Sequence, residues 1–432
     1  MLPRRTLVHF AVVMLLIGLT GGLLAHSGWP GIAASSPTPR EAVLGDVPIS
    51  PPARPATQVA VIGADYPSDL NAPPTADKDQ SKLWFHSASW WGILVDAEGT
   101  GFRIHRLNWA DQAWVDTGVV VDDRLTARAD VLWTGAHLFV ASAGSAARPS
   151  EHVRLSRYTY AAGSGRHDLD AGFPVVLTER GVESLTISAD SSDGLWVSYI
   201  VDGHVWIRHS SDAGLTWTSP MRLAQAGDDV TVHTIVPYGD TLAAVWSNQS
   251  EGTVSYATHV SGEPPDAWST PTTVVEGAFL ADDHVSARSL DGPDGASLFV
   301  MVKTSQDLQP DPDPTAPQML LIEVRPDGDW HEHVVGRVRD RHTRPLLLID
   351  EAERQLHIFV VAPFGKGSVY YKSTSADDIQ LAPGQGAPFL DLPDHGEITN
   401  PTSTKQNLTP QSGLIVLASD EETSQYVMGA LP

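Results

Sequence analysis

Two groups of charged residues, each just before a short strand-like run, have the composition of proton-transfer sites. Asp282, Asp283 and His284 are consecutive in the chain. His342 precedes Arg344 by two positions. Adjacent carboxylates can divide into general acid and base when their surroundings separate the two pKa values, as glycoside hydrolysis requires. A histidine can instead abstract a proton from a uronic acid whose carboxylate an arginine neutralises, which is lyase chemistry.

The segments that must position these groups are short alternating runs rich in Val, Ile, Thr, Tyr and Trp, interrupted by Gly, Asp and Pro. This pattern predicts an all-β fold. Similar openings recur at steps of roughly 45 to 60 residues, the range of a four-stranded propeller blade. The openings are SKLWFHSA from Ser81, RADVLW from Arg128, ESLTIS from Glu183, DDVTVHTIV from Asp228, DDHVSARSL from Asp282, HTRPLLLID from His342 and TSTKQNLT from Thr402.

The number of units predicts a β-propeller of seven four-stranded blades, with six blades as the alternative if the last unit is a tail. The seventh unit ends at Pro432 before a fourth strand. The run TQVAVIGA, from Thr57, precedes the first unit and is able to supply that strand. Pairing of the two chain ends would close the ring and remove its open edges.

In a propeller, the first strand of each blade lines the central channel, so charges where these strands begin would form a polar surface of ligand size. The loops between second and third strands belong to the same face. On this basis the catalytic candidates are Glu183, Asp130, Asp283 and His284. The ligand-binding candidates are Arg128, Arg344, His342, Lys405, Asn248 and Lys303.

One octet, Ser210-x-Asp212-x-Gly214-x-Thr216-Trp217, has the composition of a self-supporting hairpin turn. The serine and aspartate can accept hydrogen bonds from backbone N–H groups of the turn, and the glycine permits a positive φ. The threonine and tryptophan then restart a strand. We therefore interpret the octet as structural.

The octet resembles the Asp-box of sialidase-like β-propellers. In that family the box occupies the turn between the third and fourth strands of a blade, away from the catalytic face. The resemblance implies three arginines around a substrate carboxylate, a tyrosine nucleophile helped by a glutamate, and an aspartic acid. Arg128, Arg344 and Arg288 could supply the arginines, Glu183 the helper, and Asp130 or Asp283 the acid, but no tyrosine stands at a predicted channel mouth.

The net charge of −24, from 52 acidic against 28 basic residues, argues against nucleic acid as a partner. Cysteine is absent, which excludes disulfides, thiolate nucleophiles and cysteine metal sites. We predict no cofactor and no metal site. An acidic loop with Asp307, Asp311 and Asp313 offers oxygen ligands for calcium, but without the spacing of an EF-hand.

The chain begins with Arg4 and Arg5 ahead of an uncharged apolar stretch, which is typical of an export signal or an N-terminal membrane anchor. We assign residues 1–34 to this leader helix, 35–56 to a Pro-rich linker and 57–432 to the propeller. The location is therefore expected to be extracellular, with membrane contact only through the leader.

The expected function is that of a glycosidase-like, carbohydrate-active protein, with polysaccharide lyase as a second enzymatic class. The alternative is a non-catalytic propeller that binds glycan or protein at the cell surface. The expected partner is a glycan or another small polar or anionic ligand, and the expected state is a monomer.

Overall fold

A computed structural model describes residues 59–70, 73–75, 78–125, 128–144, 152–182, 184–225 and 232–431. The predicted leader and linker, with the leader helix, lie outside these ranges, as does Glu183. Among the described residues, no helix is long and apolar enough to span a membrane.

The strands form seven separate antiparallel sheets, each with a main path of four strands. The strand β1 (Val59–Asp65) comes first. Blade one contains β2 (Leu83–His86), β3 (Ser89–Val95), β4 (Phe102–Asn108) and β5 (Ala113–Asp122). Blade two contains β6 (Arg128–Trp133), β7 (His137–Ala143), β8 (Val153–Ala161), β9 (Arg166–Leu169) and β10 (Val175–Thr178). Blade three contains β11 (Leu185–Ala189), β12 (Leu195–Val201), β13 (His204–Ser210) and β14 (Met221–Gln225).

Blade four contains β15 (His233–Tyr238), β16 (Thr241–Asn248), β17 (Thr253–Val260) and β18 (Thr272–Glu276). Blade five contains β19 (Val285–Gly292), β20 (Gly295–Lys303), β21 (Pro317–Val324) and β22 (Trp330–Arg337). Blade six contains β23 (Thr343–Asp350), β24 (Gln355–Ala362), β25 (Ser368–Ser375) and β26 (Ala387–Leu390). Blade seven contains β27 (Ile398–Thr402), β28 (Leu414–Asp420) and β29 (Gln425–Leu431). Short 3-10 helices lie at Gln306–Leu308 and Val338–Asp340.

The ring closes through the two ends of the described chain. β1 pairs antiparallel with β29, with Val59 opposite Ala430, and becomes the fourth strand of blade seven. The hydroxyl of Tyr66 donates to the backbone oxygen of Asp420 at 2.7 Å just beyond this pairing. The prediction of seven blades closed by the N-terminal strand is confirmed, and the six-blade alternative is wrong.

Aromatic and branched side chains fill the space between neighbouring blades. Trp84 and Trp91 of blade one are stacked, with ring centroids 6.4 Å apart. They belong to an apolar cluster with Val131 and Leu138 of blade two. Because Trp90 and Trp91 are fully buried, this tryptophan pair serves packing between blades and presents no face to a sugar.

The inner strand of blade seven begins four residues earlier than predicted, at Ile398 instead of Thr402. Asn400 has a φ of +52°, and the pairing register with β28 shifts between Thr399 and Thr402. The residues TNPT therefore carry an irregular strand that alternation does not reveal. As a result, Lys405 lies beyond the end of β27 and not where that strand begins.

Candidate ligand pocket on the upper face

We call the face where the inner strands begin the upper face, and the face where they end the lower face. On the upper face, a cavity of about 570 Å³ lies between blades five and six. It brings together five of the predicted site residues, which are Asp283, His284, Lys303, His342 and Arg344. The other residues around this pocket are Asp307, Leu308, Val338, Arg341, Thr343 and Phe364.

On the blade-five side, His284 is held by its acidic neighbour. Its Nδ1 lies 2.5 Å from Oδ1 of Asp283, and Oδ2 of the same carboxylate pairs with Nζ of Lys78 at 2.7 Å. Burial would raise the pKa of Asp283, but the hydrogen bond and charge of His284 and the charge of Lys78 hold it well below its usual range. Nε2 of His284 has no partner among the described residues.

Asp282 lies beneath this pair and fixes the loop that carries it. Its Oδ2 accepts from Nζ of Lys303 at 2.6 Å and from the hydroxyl of Ser305 at 2.9 Å. Its Oδ1 accepts from the backbone N–H of Asp283 at 2.7 Å. Since Asp282 is almost fully buried and satisfied, we interpret its ion pair with Lys303, which itself lines the pocket, as structural.

Asp282, Asp283 and His284 also present ligand atoms within 4.8 Å of one another, which is a spacing suited to a metal ion. The two carboxylates are already neutralised by Lys303 and Lys78. An ion would have to displace both ammonium groups, so the donor set does not fit a resident metal. In the acidic loop, Oδ1 of Asp313 accepts from the N–H and hydroxyl of Thr315, which stabilises its own turn.

On the blade-six side, Arg344 combines a strained backbone with an aromatic contact. It has a φ of +48°, and the pairing of β23 with β24 shifts register between Thr343 and Leu346. Its Nε donates to Oδ1 of Asn400 at 2.5 Å, and its guanidinium lies 4.6 Å from the ring centroid of Phe364. Phe364 is 68% exposed. A positive φ at a bulky residue costs about 1–3 kcal/mol and is typical of functional sites.

His342 lines the pocket, but its ring nitrogens face other parts of the protein. Its Nε2 donates to the backbone oxygen of Gln385 at 3.1 Å. Its Nδ1 faces Gly336 so closely that a β-carbon on that glycine would lie 1.9 Å away. Burial, with a smaller effect of the Lys372 charge, lowers the pKa of His342 to about 4. This histidine is therefore neutral at pH 7, and it anchors the segment between Arg341 and the start of β23, where Arg344 lies.

The other predicted site residues lie elsewhere. Asp130 is fully buried in the channel, and its carboxylate accepts from the N–H groups of Ser81 and Ile187 and from Nζ of Lys405. Asn248 accepts from the hydroxyl of Ser250 and the N–H of Glu251, which shapes its own turn. Those that do not line the pocket are Asp130, Lys405, Asn248, Arg128 and Arg288.

A segment before blade one crosses the upper end of the channel. We call residues 78–82 the crossing segment. Lys78 pairs with Asp283 of blade five, the Gln80 amide donates to Leu185 O of blade three at 3.4 Å, and the Ser81 N–H reaches Asp130 of blade two. The crossing segment thus occupies the position of the predicted central funnel. The cavity between blades five and six lies at the rim of the upper face.

Lys78, Arg341 and Phe364 are not among the residues predicted from the sequence. Phe364 lies in a loop between second and third strands, as Asn248 and Lys303 do, but it has no polar group of the kind that marked those two as candidates. Arg341 adjoins His342 in the sequence RDRHTR and had the same signal as its neighbour. No pattern in the segment around Lys78 predicts a contact with blade five, because that contact depends on the closed ring.

The octet forms the turn between β13 and β14, the third and fourth strands of blade three. Ser210 Oγ accepts from the N–H of Gly214 at 2.9 Å, and Asp212 accepts from the N–H and hydroxyl of Thr216 at 2.8 and 2.6 Å. The hydrogen bonds that Asp212 accepts lower its pKa to about 2, and the one from the Thr216 hydroxyl has the largest effect. The indole of Trp217 donates to Gly214 O at 2.9 Å, so the turn is self-supporting.

No protein-family model and no curated protein matches the chain. Among solved structures it is similar to the polysaccharide lyase Uly1, with 9% identity, a TM-score of 0.49, and coverage of 83% of this chain and 90% of that one. It is also similar to AofleA from Arthrobotrys oligospora, at 11% identity, a TM-score of 0.47 and coverage of 74% and 86%.

A third similar structure is the NanB sialidase from Streptococcus pneumoniae, at 13% identity, with a TM-score of 0.38 and coverage of 75% of this chain and 54% of that one. At these identities and TM-scores, the likenesses give no basis for assigning an activity. The fold and the described residues define the chain as a seven-bladed β-propeller with a charged pocket at the rim of its upper face.

Proposed function

We propose that this protein is an extracellular, carbohydrate-active propeller that takes an acidic sugar in the pocket between blades five and six. The proposal depends on one juxtaposition. The Arg344 guanidinium, stacked on the exposed Phe364, lines the same 570 Å³ cavity as the His284–Asp283 pair. The pocket volume lies within the range of small-ligand sites and suits one or two sugar units of a longer chain.

Arginine chemistry supports an acidic ligand. A planar guanidinium can donate two parallel hydrogen bonds to a carboxylate, and arginine combines this geometry with stacking on aromatic rings. Arg341 adds a second guanidinium to the pocket, whereas the charge of Asp283 is neutralised by the ammonium group of Lys78. The pocket therefore favours an anion, and the exposed ring of Phe364 offers an apolar surface to a pyranose face.

Proton abstraction is the chemistry that fits His284. A carboxylate at Nδ1 orients the ring and leaves Nε2 as the base. Nε2 would take the proton from the carbon next to the sugar carboxylate, and the electron pair of that C–H bond would form the new C=C bond. The glycosidic oxygen would leave with its bonding electrons and take up a proton from water. Two-carboxylate hydrolysis fits less well, since the low pKa of Asp283 prevents it from acting as the general acid.

The test is a screen of the full chain against uronic-acid polymers, sialosides and neutral glycans, by ultraviolet absorbance of unsaturated product and by reducing-end release. We expect turnover on uronic-acid polymers. His284→Gln should lower kcat by about 10²–10⁴-fold, and Arg344→Ala should raise KM. Arg354→Ala, which removes an exposed ion pair with Asp377 outside the pocket, is the matched control and should leave both constants unchanged.

The second candidate, a non-catalytic glycan-binding propeller, has its own supporting observation. The carboxylates Asp130, Asp282 and Asp283 are each paired with a lysine, which leaves no unpaired acid among them. Binding of an acidic glycan that Arg344→Ala weakens, with no turnover on any substrate class, would favour this candidate. Failure of wild-type protein to bind or to turn over any acidic glycan would rule out both.

The extracellular location rests on the basic and apolar leader, and the charge of −24 suits an exported, soluble domain. We propose the same domain boundaries as the sequence predicts, with the propeller starting near residue 57. Mass spectrometry of secreted and membrane fractions would locate the protein and show whether the leader is removed.

A further inference from the structure

A second cavity, of about 370 Å³, lies at the opposite end of the channel and has no role in the function proposed above. Its lining includes the final residues of the inner strands of blades two to five, such as Trp133, Ala189 and Pro237. Leu83 and Trp84 of blade one and the carboxylates Asp193 and Asp291 also line it. Residues Thr404–Asn407, beyond β27, complete it. The crossing segment at the upper end separates this cavity from the upper face.

One wall of this lower cavity is apolar. Leu132 and Trp133 of blade two and Ile235, Val236 and Pro237 of blade four supply its apolar lining. Trp133 also packs against His86, with ring centroids 4.1 Å apart and the rings tilted by 39°, which restricts the orientation of the indole. An apolar, partly enclosed wall gains free energy by excluding water when the apolar part of a ligand covers it.

The opposite wall carries a buried cation. Arg288 is only 5% exposed, and of its five N–H donors two are used, by the backbone oxygens of Ala287 at 2.7 Å and Thr404 at 3.0 Å. Its Nε has no partner. Among the described residues no carboxylate lies within ion-pair distance of it, whereas the neighbouring Lys405 is neutralised by Asp130.

An isolated buried guanidinium is costly unless an anion compensates it. We propose that the lower cavity binds a small amphiphilic carboxylate, with its carboxylate against Arg288 and its apolar body against the wall of Trp133 and Ile235. The volume of about 370 Å³ admits a single-ring acid and excludes a polymer. This site is thus distinct in position and in ligand from the pocket for the acidic glycan.

Isothermal titration of the full chain tests the ligand class. The probes are cyclohexanecarboxylate, its neutral analogue cyclohexanecarboxamide, and inorganic phosphate. We expect one cyclohexanecarboxylate per chain, at least tenfold weaker binding of the amide because it leaves the charge of Arg288 uncompensated, and no saturable binding of phosphate. Equal binding of acid and amide, preferential binding of phosphate, or no binding of the acid would overturn the proposal.

Two variants locate the site. Arg288→Gln removes the charge and should weaken binding of the acid at least tenfold. Ala189→Phe fills the cavity and leaves Arg288 in place, so this variant still tests the site if Arg288→Gln does not fold. Arg344→Ala, on the upper face, is the control and should bind the acid like the wild type. If the acid binds folded Ala189→Phe with unchanged affinity, it does not occupy this cavity.

Discussion

At the scale of single residues, a buried charged group stabilises the channel, and its removal should lower the stability of the fold whether or not a ligand is bound. Asp130 accepts hydrogen bonds from three separate parts of the ring, at Ser81, Ile187 and Lys405. Asp130→Ala would leave Lys405 buried without its counter-ion. Because breaking a buried pair on one side costs about 3–5 kcal/mol, we expect a loss of that size in the free energy of unfolding, measured by urea titration.

The exposed pair of Arg354 and Asp377 is the control for this effect. Its atoms are 2.8 Å apart, but the side chains are 35% and 60% exposed, and water screens the attraction. Asp377→Ala should change the free energy of unfolding by less than about 1 kcal/mol. If Asp130→Ala and Asp377→Ala lowered the free energy of unfolding by similar amounts, the buried contacts of Asp130 would contribute no more to stability than an exposed ion pair.

At the scale of elements, the turn between β13 and β14 owes its shape to Gly214. Its φ is +87°, and an added β-carbon would lie 2.7 Å from Cδ2 of the buried Leu155. Gly328 has the same φ of +87° with nothing within 4 Å of such a carbon. In both alanine variants the positive φ strains the backbone. Only Gly214→Ala should also overpack the core, so its free energy of unfolding should fall by about 1–3 kcal/mol more than that of Gly328→Ala.

Thermal and urea unfolding of Gly214→Ala and Gly328→Ala side by side measure that difference directly. Equal destabilisation of the two variants would show that blade two yields to the extra methyl group. In that case the octet would stabilise its own blade only, through the hydrogen bonds of Ser210 and Asp212, and would have no effect on the packing of blade three against blade two.

The strands also show which parts of the fold local sequence patterns predict and which parts they do not. The short strand-like runs and their period predicted the blades, since the repeated openings RADVLW and HTRPLLLID contain the inner strands β6 and β23. Periodicity did not reveal β27, in which Asn400 and Pro401 interrupt the pattern. The contact of Lys78 with Asp283 joins residues more than 200 positions apart and depends on the closed ring, so local patterns contain no signal for it.

At the scale of the whole molecule, ring closure gives the propeller two faces with different chemistry. The crossing segment occupies the upper end of the channel, so the upper pocket is displaced to the rim and combines both signs of charge. The lower cavity combines an apolar lining with the buried Arg288, which has no ion-pair partner among the described residues, and with Asp193 and Asp291. The two sites therefore differ in the ligands that they favour, and variants of Arg344 and Arg288 should separate them.

The ring as a whole should lose stability in mild acid, because buried neutral histidines occur in several parts of it. Burial lowers the pKa of His167 to about 3 and the pKa values of His233 and His342 to about 4. The unfolded chain binds protons near its ordinary histidine pKa of about 6.5. Between that pH and 4 the unfolded state holds more protons, so stability is complete above 6.5 and declines as the pH falls.

From the product of the pKa shift and the free energy per pH unit, His233 and His342 each contribute at most about 3 kcal/mol to that decline, and His167 at most about 5 kcal/mol. Urea unfolding at pH 7, 6 and 5 measures the slope. His167→Phe, in an aromatic surrounding with both ring nitrogens unpaired, should flatten it, whereas the exposed His331→Gln should not. A slope unchanged by His167→Phe would mean that this histidine gains a proton in the folded ring, which its unpaired burial among Trp84, Trp91 and Tyr160 opposes.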